Sequence, residues 1–151
     1  MTEPVNPAGP GDPIVLDSSV LVAYERMKSP GAYSLNETQS LVSRWLVRST
    51  PLLMPGLSLT VAAHECGGQL PELNYLIDGD PELVLVVPLA REAAAAIGAD
   101  SGSLRGEDLE VAHVVWCAAG FDDTGPGGPR WPIATHWPDW YAGKDVPTIA
   151  L

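Results

Sequence analysis

Three acidic residues stand where predicted secondary-structure elements begin or end. Asp17 follows the apolar run at 14–16, Glu65 lies near the end of a helical pattern, and Asp108 lies in the first turn of a later helix. In open α/β sheets, a carboxylate at the carboxyl end of a strand lies where such folds build their sites. Carboxylates that meet repel one another at neutral pH unless protons or a cation compensate them. Asp17, Glu65 and Asp108 therefore predict a site for a hard divalent cation.

The elements that must position these acids alternate between strands and helices. Short apolar runs predict strands at 14–16, 52–55, 83–87 (buried), 133–135 and, at an edge, 147–151. Helical spacing or composition marks the segments between them: from Ser19, over 36–48 with Asn36 as cap, from Ser58 as cap to Gly67, over 73–77, over 90–98, and from 106 or 107 to Gly120. This alternation predicts a three-layer α/β fold, in which a central, mostly parallel sheet of 4–5 strands is flanked by helices.

Length and composition indicate one compact domain. The chain has 151 residues, of which 46% are hydrophobic and 18% charged. We expect a flexible N-terminal tail at 1–13, a single domain at 14–151, and a loop at 120–130, because Pro, Gly and Asn dominate the tail and Pro and Gly the loop.

The charge limits the classes of partner. A net charge of −11 with 8 basic residues argues against sequence-independent binding to nucleic acid and against an anionic membrane surface. No signal-peptide pattern or spanning apolar stretch is present in the sequence, so we expect a cytoplasmic protein with Cys66 and Cys117 as buried, reduced thiols.

The helix that carries Asp108 has an apolar stripe along the side of this residue. Residues 108, 112, 115 and 119 share one side because successive helical residues turn by about 100°. We expect this side to face the core, so that Asp108 leans over the sheet near Asp17 while Glu107 and Glu110 face solvent.

Four segments together resemble a known family. They are Ile14–Ala23 with Asp17, Thr60–Glu65, Glu107–His113 with Asp108, and the strand Ile133–Thr135 that precedes a final polar group. In order and spacing the chain resembles the PIN-domain family, including the VapC-like toxin ribonucleases of bacterial toxin–antitoxin pairs.

The resemblance implies a metal-dependent endoribonuclease. Asp17, Glu65 and Asp108 would be the catalytic acids and would bind Mg²⁺ or Mn²⁺, which activates water for attack on an RNA phosphodiester. It also implies an antitoxin protein as partner and, by analogy, a homodimer.

The fourth acidic position departs from the family pattern. Thr135, which with Ser19 would supply supporting hydroxyl groups, is followed by His136 where many members have Asp. Either Asp139 is the last metal ligand, His136 replaces it, or the site has decayed. A PIN-like domain without catalysis, acting as a protein-binding module, is therefore the alternative function.

Each motif also has a purely structural interpretation. Asp17 could cap the following helix, Glu65 could be a solvated helix residue, and Asp108 could be a favourable first-turn acid. The pairs His64/Cys66 and His113/Cys117 have zinc-ligand residue types, but the second pair lies on the side of its helix away from Asp108 and no CxxC motif occurs in the sequence. Trp137 and Trp140 flank the last candidate ligand and could stack on RNA bases, although such residues more often serve packing.

Overall fold

A single parallel sheet organises the molecule. The computed structural model describes residues 12–26, 36–101, 105–120 and 130–151, and within them the sheet has five strands in the order β3-β2-β1-β4-β5. The strands are β1 (Ile14–Leu16), β2 (Leu52–Pro55), β3 (Val84–Val87), β4 (Ile133–Thr135) and β5 (Thr148–Ala150). Every neighbouring pair is parallel.

Helices connect most of these strands. In the described ranges they are α1 (Ser18–Arg26), α2 (Glu37–Val47), α3 (Gly56–Glu65), α4 (Pro71–Gly79), α5 (Arg91–Asp100) and α6 (Gly106–Ala118), followed by a short 3₁₀ helix at Pro138–Tyr141, named here the 3₁₀ segment. The fold is therefore α/β with an all-parallel sheet flanked by helices, which confirms the predicted fold class and is consistent with a three-layer PIN-like fold.

The alternating side chains of the strands build two cores. Ile14, Leu16, Leu52 and Met54 pack with α1, α2 and α4 on one face of the sheet. Val15, Leu53 and Ile133 pack with α6 and with Tyr141 on the other face. The alternation of side chains along a strand thus explains why helices cover both faces.

Most predicted elements are confirmed, and two details are wrong. Asn36 caps α2 in a capping box with Gln39, as expected. Ser58 is not a cap, because α3 begins at Gly56, directly after β2. The third strand is an edge strand with Leu85 and Val86 exposed, although its apolar composition predicted a buried one.

The start of α3 favours a glycine. A Cβ atom on Gly56 would lie 3.1 Å from the carbonyl oxygen of Val87. The absence of a side chain allows α3 to leave β2 without a connecting loop and brings its first turn close to the sheet.

The strand order fixes where a site is expected. From β1 the chain adds β2 and β3 on one side, whereas β4 and β5 lie on the other side. The gap beyond the carboxyl ends of β1 and β4 is therefore the topological switch point of the sheet, where open α/β folds bind ligands. Asp17 follows β1 and Thr135 ends β4, so both lie at this point.

The described helices do not include a membrane-spanning candidate: within the part of the chain that the structure covers, none is long and apolar enough to cross a bilayer.

Two predicted irregular segments lie outside the described residues. They are the N-terminal tail up to residue 11 and residues 121–129 of the predicted loop.

Candidate functional site

Asp17 is a buried carboxylate held by three donors from two elements, α1 and the 3₁₀ segment. Its side chain is 0% exposed. Oδ1 accepts hydrogen bonds from the Ser19 hydroxyl at 2.5 Å and from the Val20 backbone N–H at 3.3 Å, and Oδ2 accepts one from the Tyr141 hydroxyl at 2.8 Å. Asp17 therefore caps α1, as its structural interpretation predicted, and also ties α1 to the 3₁₀ segment.

Glu110 is the second buried carboxylate at the switch point. It is 1% exposed and lies on α6. Oε1 accepts a hydrogen bond from the Ser18 hydroxyl at 2.6 Å, and Oε2 accepts bonds from the Ser18 backbone N–H at 3.0 Å and from the Ser58 hydroxyl at 2.8 Å. The carboxylate thus joins the first turns of α1 and α3, where helix dipoles favour negative charge.

The carboxylates of Asp17 and Glu110 repel each other electrostatically. Burial, followed by the repulsion from Asp17, raises the pKa of Glu110, while the hydrogen bonds from Ser18 and Ser58 act in the opposite direction. Burial and the negative charges of both acids also raise the pKa of Tyr141 well above its usual range, so its hydroxyl stays protonated and able to donate.

The structure does not bring the three predicted acids together. Asp17 is buried, Glu65 is exposed at the last residue of α3, and Asp108 is exposed on α6. Glu65 lines a cleft with His136 and Trp140, whereas Asp108 lines a different hollow with Lys144 and Trp140. No group of three or more acidic, histidine or cysteine side chains able to hold a metal occurs among the described residues.

The orientation predicted for α6 was wrong. Its buried face carries Glu110, His113, Val114, Cys117 and Ala118. Of the predicted side, Asp108 is exposed, Ala112 and Val115 are half-buried, and Ala119, directly after the helix, is buried. Glu110 therefore faces inward instead of toward solvent, although Glu107 is exposed as predicted. Positions 110, 113, 114, 117 and 118 also follow helical spacing, so the spacing alone was compatible with either face.

A cleft of about 760 Å³ lies beside the first turn of α1, where Ser18 and Ser19 are among its lining residues. Its charged lining residues are Arg26 on α1 and Glu65 on α3. One wall of the cleft is apolar and consists of Val22, Ala23 and Val61. Trp137 and Trp140 form the remaining wall, with ring centroids 6.1 Å apart and planes inclined by 19°.

The hydroxyl groups predicted to support the site link Asp17 to this cleft. Besides donating to Asp17, the Ser19 hydroxyl accepts a hydrogen bond from the His136 backbone N–H at 2.9 Å. Thr135 Oγ1 accepts one from the Trp137 backbone N–H at 2.9 Å and lies 3.4 Å from the Ser19 hydroxyl. Ser19 and Thr135 therefore position the chain that follows β4.

The two candidates for the fourth acidic position differ in location. His136 lines the cleft, and its Nε2 is buried without a hydrogen-bond partner among the described residues. Asp139 is exposed in the first turn of the 3₁₀ segment. Of the two, His136 is thus the residue that borders the cleft.

His113 and Cys117 are buried side chains that pack in the core. His113 Nδ1 accepts a hydrogen bond from the Leu57 backbone N–H at 3.3 Å, and burial lowers the pKa of His113 to about 4. Burial raises the pKa of the Cys117 thiol to about 12. Both cysteines are free, but Cys66 is half-buried near the end of α3, so the prediction that it is buried was wrong. A neutral imidazole and a protonated thiol on the buried face of α6 agree with the packing interpretation of this pair.

The donors around Asp17 and Glu110 do not fit a resident divalent cation. A carboxylate offers about four acceptor positions, and in the described part of the chain each of these two accepts three hydrogen bonds from N–H or O–H groups. A cation needs open lone pairs and a path from solvent, whereas both side chains are buried.

Comparisons with known proteins add no assignment: no protein-family model matches the chain, and no curated protein sequence matches it.

Proposed function

We propose that this chain is a PIN-like domain that acts by binding a partner protein, without metal-dependent hydrolysis of RNA. The observation that carries the proposal is that three protein hydrogen bonds reach each of the carboxylates of Asp17 and Glu110. Hydrogen bonds from the protein compensate the negative charges of Asp17 and Glu110, named here the acid pair. These bonds also connect α1, α3, α6 and the 3₁₀ segment to one another.

The cleft lined by Trp137 and Trp140 is the proposed binding surface. Trp137 is 55% exposed and Trp140 is 37% exposed, and both line the cleft. Exposed tryptophans next to apolar side chains are typical of the residues that dominate binding energy in protein interfaces. Val22, Ala23 and Val61 continue this apolar surface.

The charge of the chain favours a basic partner segment. The net charge is −11, and Glu65 places one carboxylate in the cleft beside the tryptophan wall. A Lys or Arg side chain could contact this carboxylate and an indole face together, because aromatic faces attract cations. Arg26 gives the cleft one positive group, which suits a carbonyl oxygen or an acidic residue elsewhere in the same segment.

Selection from a displayed peptide library tests this proposal. We expect enrichment of peptides with basic and apolar residues, and at least tenfold weaker binding of them to Trp137→Ala and to Glu65→Gln. Tyr75→Ala is the control, since Tyr75 is 81% exposed on α4 and is not part of the cleft lining. Equal affinities of all variants would reject the cleft as the binding surface.

A metal-dependent ribonuclease is the second candidate, favoured by the convergence of Asp17 and Glu110 at the switch point and by their mutual repulsion. In this case the catalytic pair would include Glu110 in the role expected of Asp108. RNA cleavage by the wild-type chain with Mg²⁺ or Mn²⁺, lost in Glu110→Gln but kept in Asp108→Asn, would support this candidate over the binding module.

A further inference from the structure

The 3₁₀ segment contacts the acid pair through one side chain. Tyr141 is the buried residue of the four in Pro138–Tyr141, and its hydroxyl donates to Asp17 Oδ2 at 2.8 Å. Its ring packs in the core formed with Val15, Val114 and Ile133. Tyr141 thus fixes the segment to the body of the domain at the carboxylate itself.

The same segment is next to each of the predicted acids. Trp140 borders the cleft that contains Glu65 and also the hollow that contains Asp108. Tyr141, the next residue in the chain, binds Asp17. Two consecutive residues of one short helix therefore lie next to all three acids that the sequence predicted as one site.

The contacts on either side of the segment are local. The Trp140 N–H donates to the Trp137 carbonyl at 3.0 Å, and the Ala142 N–H donates to the Asp139 carbonyl at 3.2 Å. Pro138, Asp139 and Trp140 are exposed. The hydroxyl and ring of Tyr141 therefore provide the segment's buried attachment at the switch point.

We propose that the 3₁₀ segment is a built-in plug, in which the Tyr141 hydroxyl takes the place at Asp17 that a divalent cation would occupy. At Asp17, the poor fit to a cation then has a specific cause, because the Tyr141 hydroxyl occupies Oδ2 while the carboxylate itself is retained. This inference concerns the same residues as the proposed function but does not depend on what the cleft binds.

The substitution Tyr141→Phe tests the plug, because it removes the hydroxyl and keeps the buried ring. In EDTA we expect its melting temperature to fall by about 3 to 10 °C, as Asp17 Oδ2 loses a donor. We expect Mn²⁺ to restore part of this loss, and the added substitution Asp17→Asn to abolish the restoration. Tyr75→Phe makes the same chemical change at an exposed position and serves as the control.

Two results would overturn the plug. One is a wild-type melting temperature that Mn²⁺ raises as much as that of Tyr141→Phe, and the other is a Tyr141→Phe chain that does not respond to Mn²⁺. If this variant is unfolded in EDTA, circular dichroism during the Mn²⁺ titration decides, since a failure to refold also contradicts the proposal. A Tyr141→Phe chain that does not respond to Mn²⁺ overturns the plug alone, because peptide binding is measured on the wild-type chain. A wild-type response to Mn²⁺ counts against both proposals, and loss of peptide selectivity at the cleft counts against the proposed function alone.

Discussion

At the scale of single residues, the acid that meets Asp17 is Glu110. Asp108 and Glu110 are two positions apart, which corresponds to about 200° around a helix. A choice between them is therefore a choice between opposite faces of α6. Local sequence does not make this choice, because both faces follow helical spacing, and packing against the sheet selects the face with Val114 and Cys117.

Glu110→Gln should weaken the hydrogen bonds that connect α6 to α1 and α3. The amide retains one acceptor oxygen but places an NH₂ group against donors from Ser18 or Ser58. We expect a loss of about 1 to 3 kcal/mol in the free energy of unfolding, measured by urea denaturation. Glu107→Gln, at an exposed position on the same helix, should change it by less than about 0.5 kcal/mol. Similar values for the two variants would show that Glu110 does not hold these helices.

His113 should make the fold sensitive to acid. Its pKa is lowered from 6.5 to about 4 in the folded chain, so between these values the unfolded chain binds the extra proton and stability falls as the pH is lowered. Between pH 7 and pH 4 we expect His113→Gln, which keeps an acceptor for the Leu57 N–H, to lose less stability than the wild type, by on the order of 2 kcal/mol.

The comparison of the two proteins isolates His113 from Glu110. Burial raises the pKa of Glu110, so its protonation favours the folded state at low pH and acts in the opposite direction. Because Glu110 is present in both proteins, its contribution largely cancels. Parallel pH profiles of stability would contradict the assignment to His113.

At the scale of elements, local patterns predicted the strands and most helices. The alternation of apolar runs and helical segments depends on neighbours in sequence, and so the capping box of Asn36 and the order of elements were accessible. The location of Glu110 and Tyr141 at Asp17 joins residues 92 or more positions apart in sequence. Such contacts depend on how α6 and the 3₁₀ segment pack, which spacing along one element does not encode.

The start of α4 shows how a distant side chain completes an element. Its N-cap, Leu70, provides no side-chain hydrogen bond, and Pro71 occupies the first turn. Glu25 on α1 instead accepts from the backbone N–H groups of Glu72 at 3.1 Å and Leu73 at 3.0 Å. The carboxylate therefore caps α4 and attaches it to α1.

Glu25→Ala should destabilise the fold through this cap. We expect a loss of about 1 to 2 kcal/mol in the free energy of unfolding, since two backbone donors lose a charged acceptor. Glu25→Gln, which keeps one acceptor oxygen, should lose less. Glu82→Ala removes a carboxylate from an exposed turn and is the control. The melting temperatures of the variants, measured by thermal denaturation, check this. Equal melting temperatures for Glu25→Ala and Glu82→Ala would refute the capping role.

At the scale of the whole molecule, charge should control partner binding. The chain carries −11, so attraction of a basic peptide to the cleft acts over distances that salt can screen. Raising the ionic strength from about 0.01 M to about 0.15 M shortens the Debye length from about 30 Å to about 8 Å. We expect affinity for a basic peptide to fall several-fold, chiefly through slower association, with little change for a neutral peptide. Salt-independent binding of both would remove the argument for a basic partner.

The central claim is that protein donors, and not a cation, compensate the buried acid pair. Its most direct test is to titrate Mn²⁺ into the wild-type chain and into Asp17→Asn, and to measure free Mn²⁺ by electron paramagnetic resonance. We expect the two proteins to leave equal amounts of Mn²⁺ free at every concentration. A Mn²⁺ ion bound by the wild-type chain and lost from Asp17→Asn would contradict the claim.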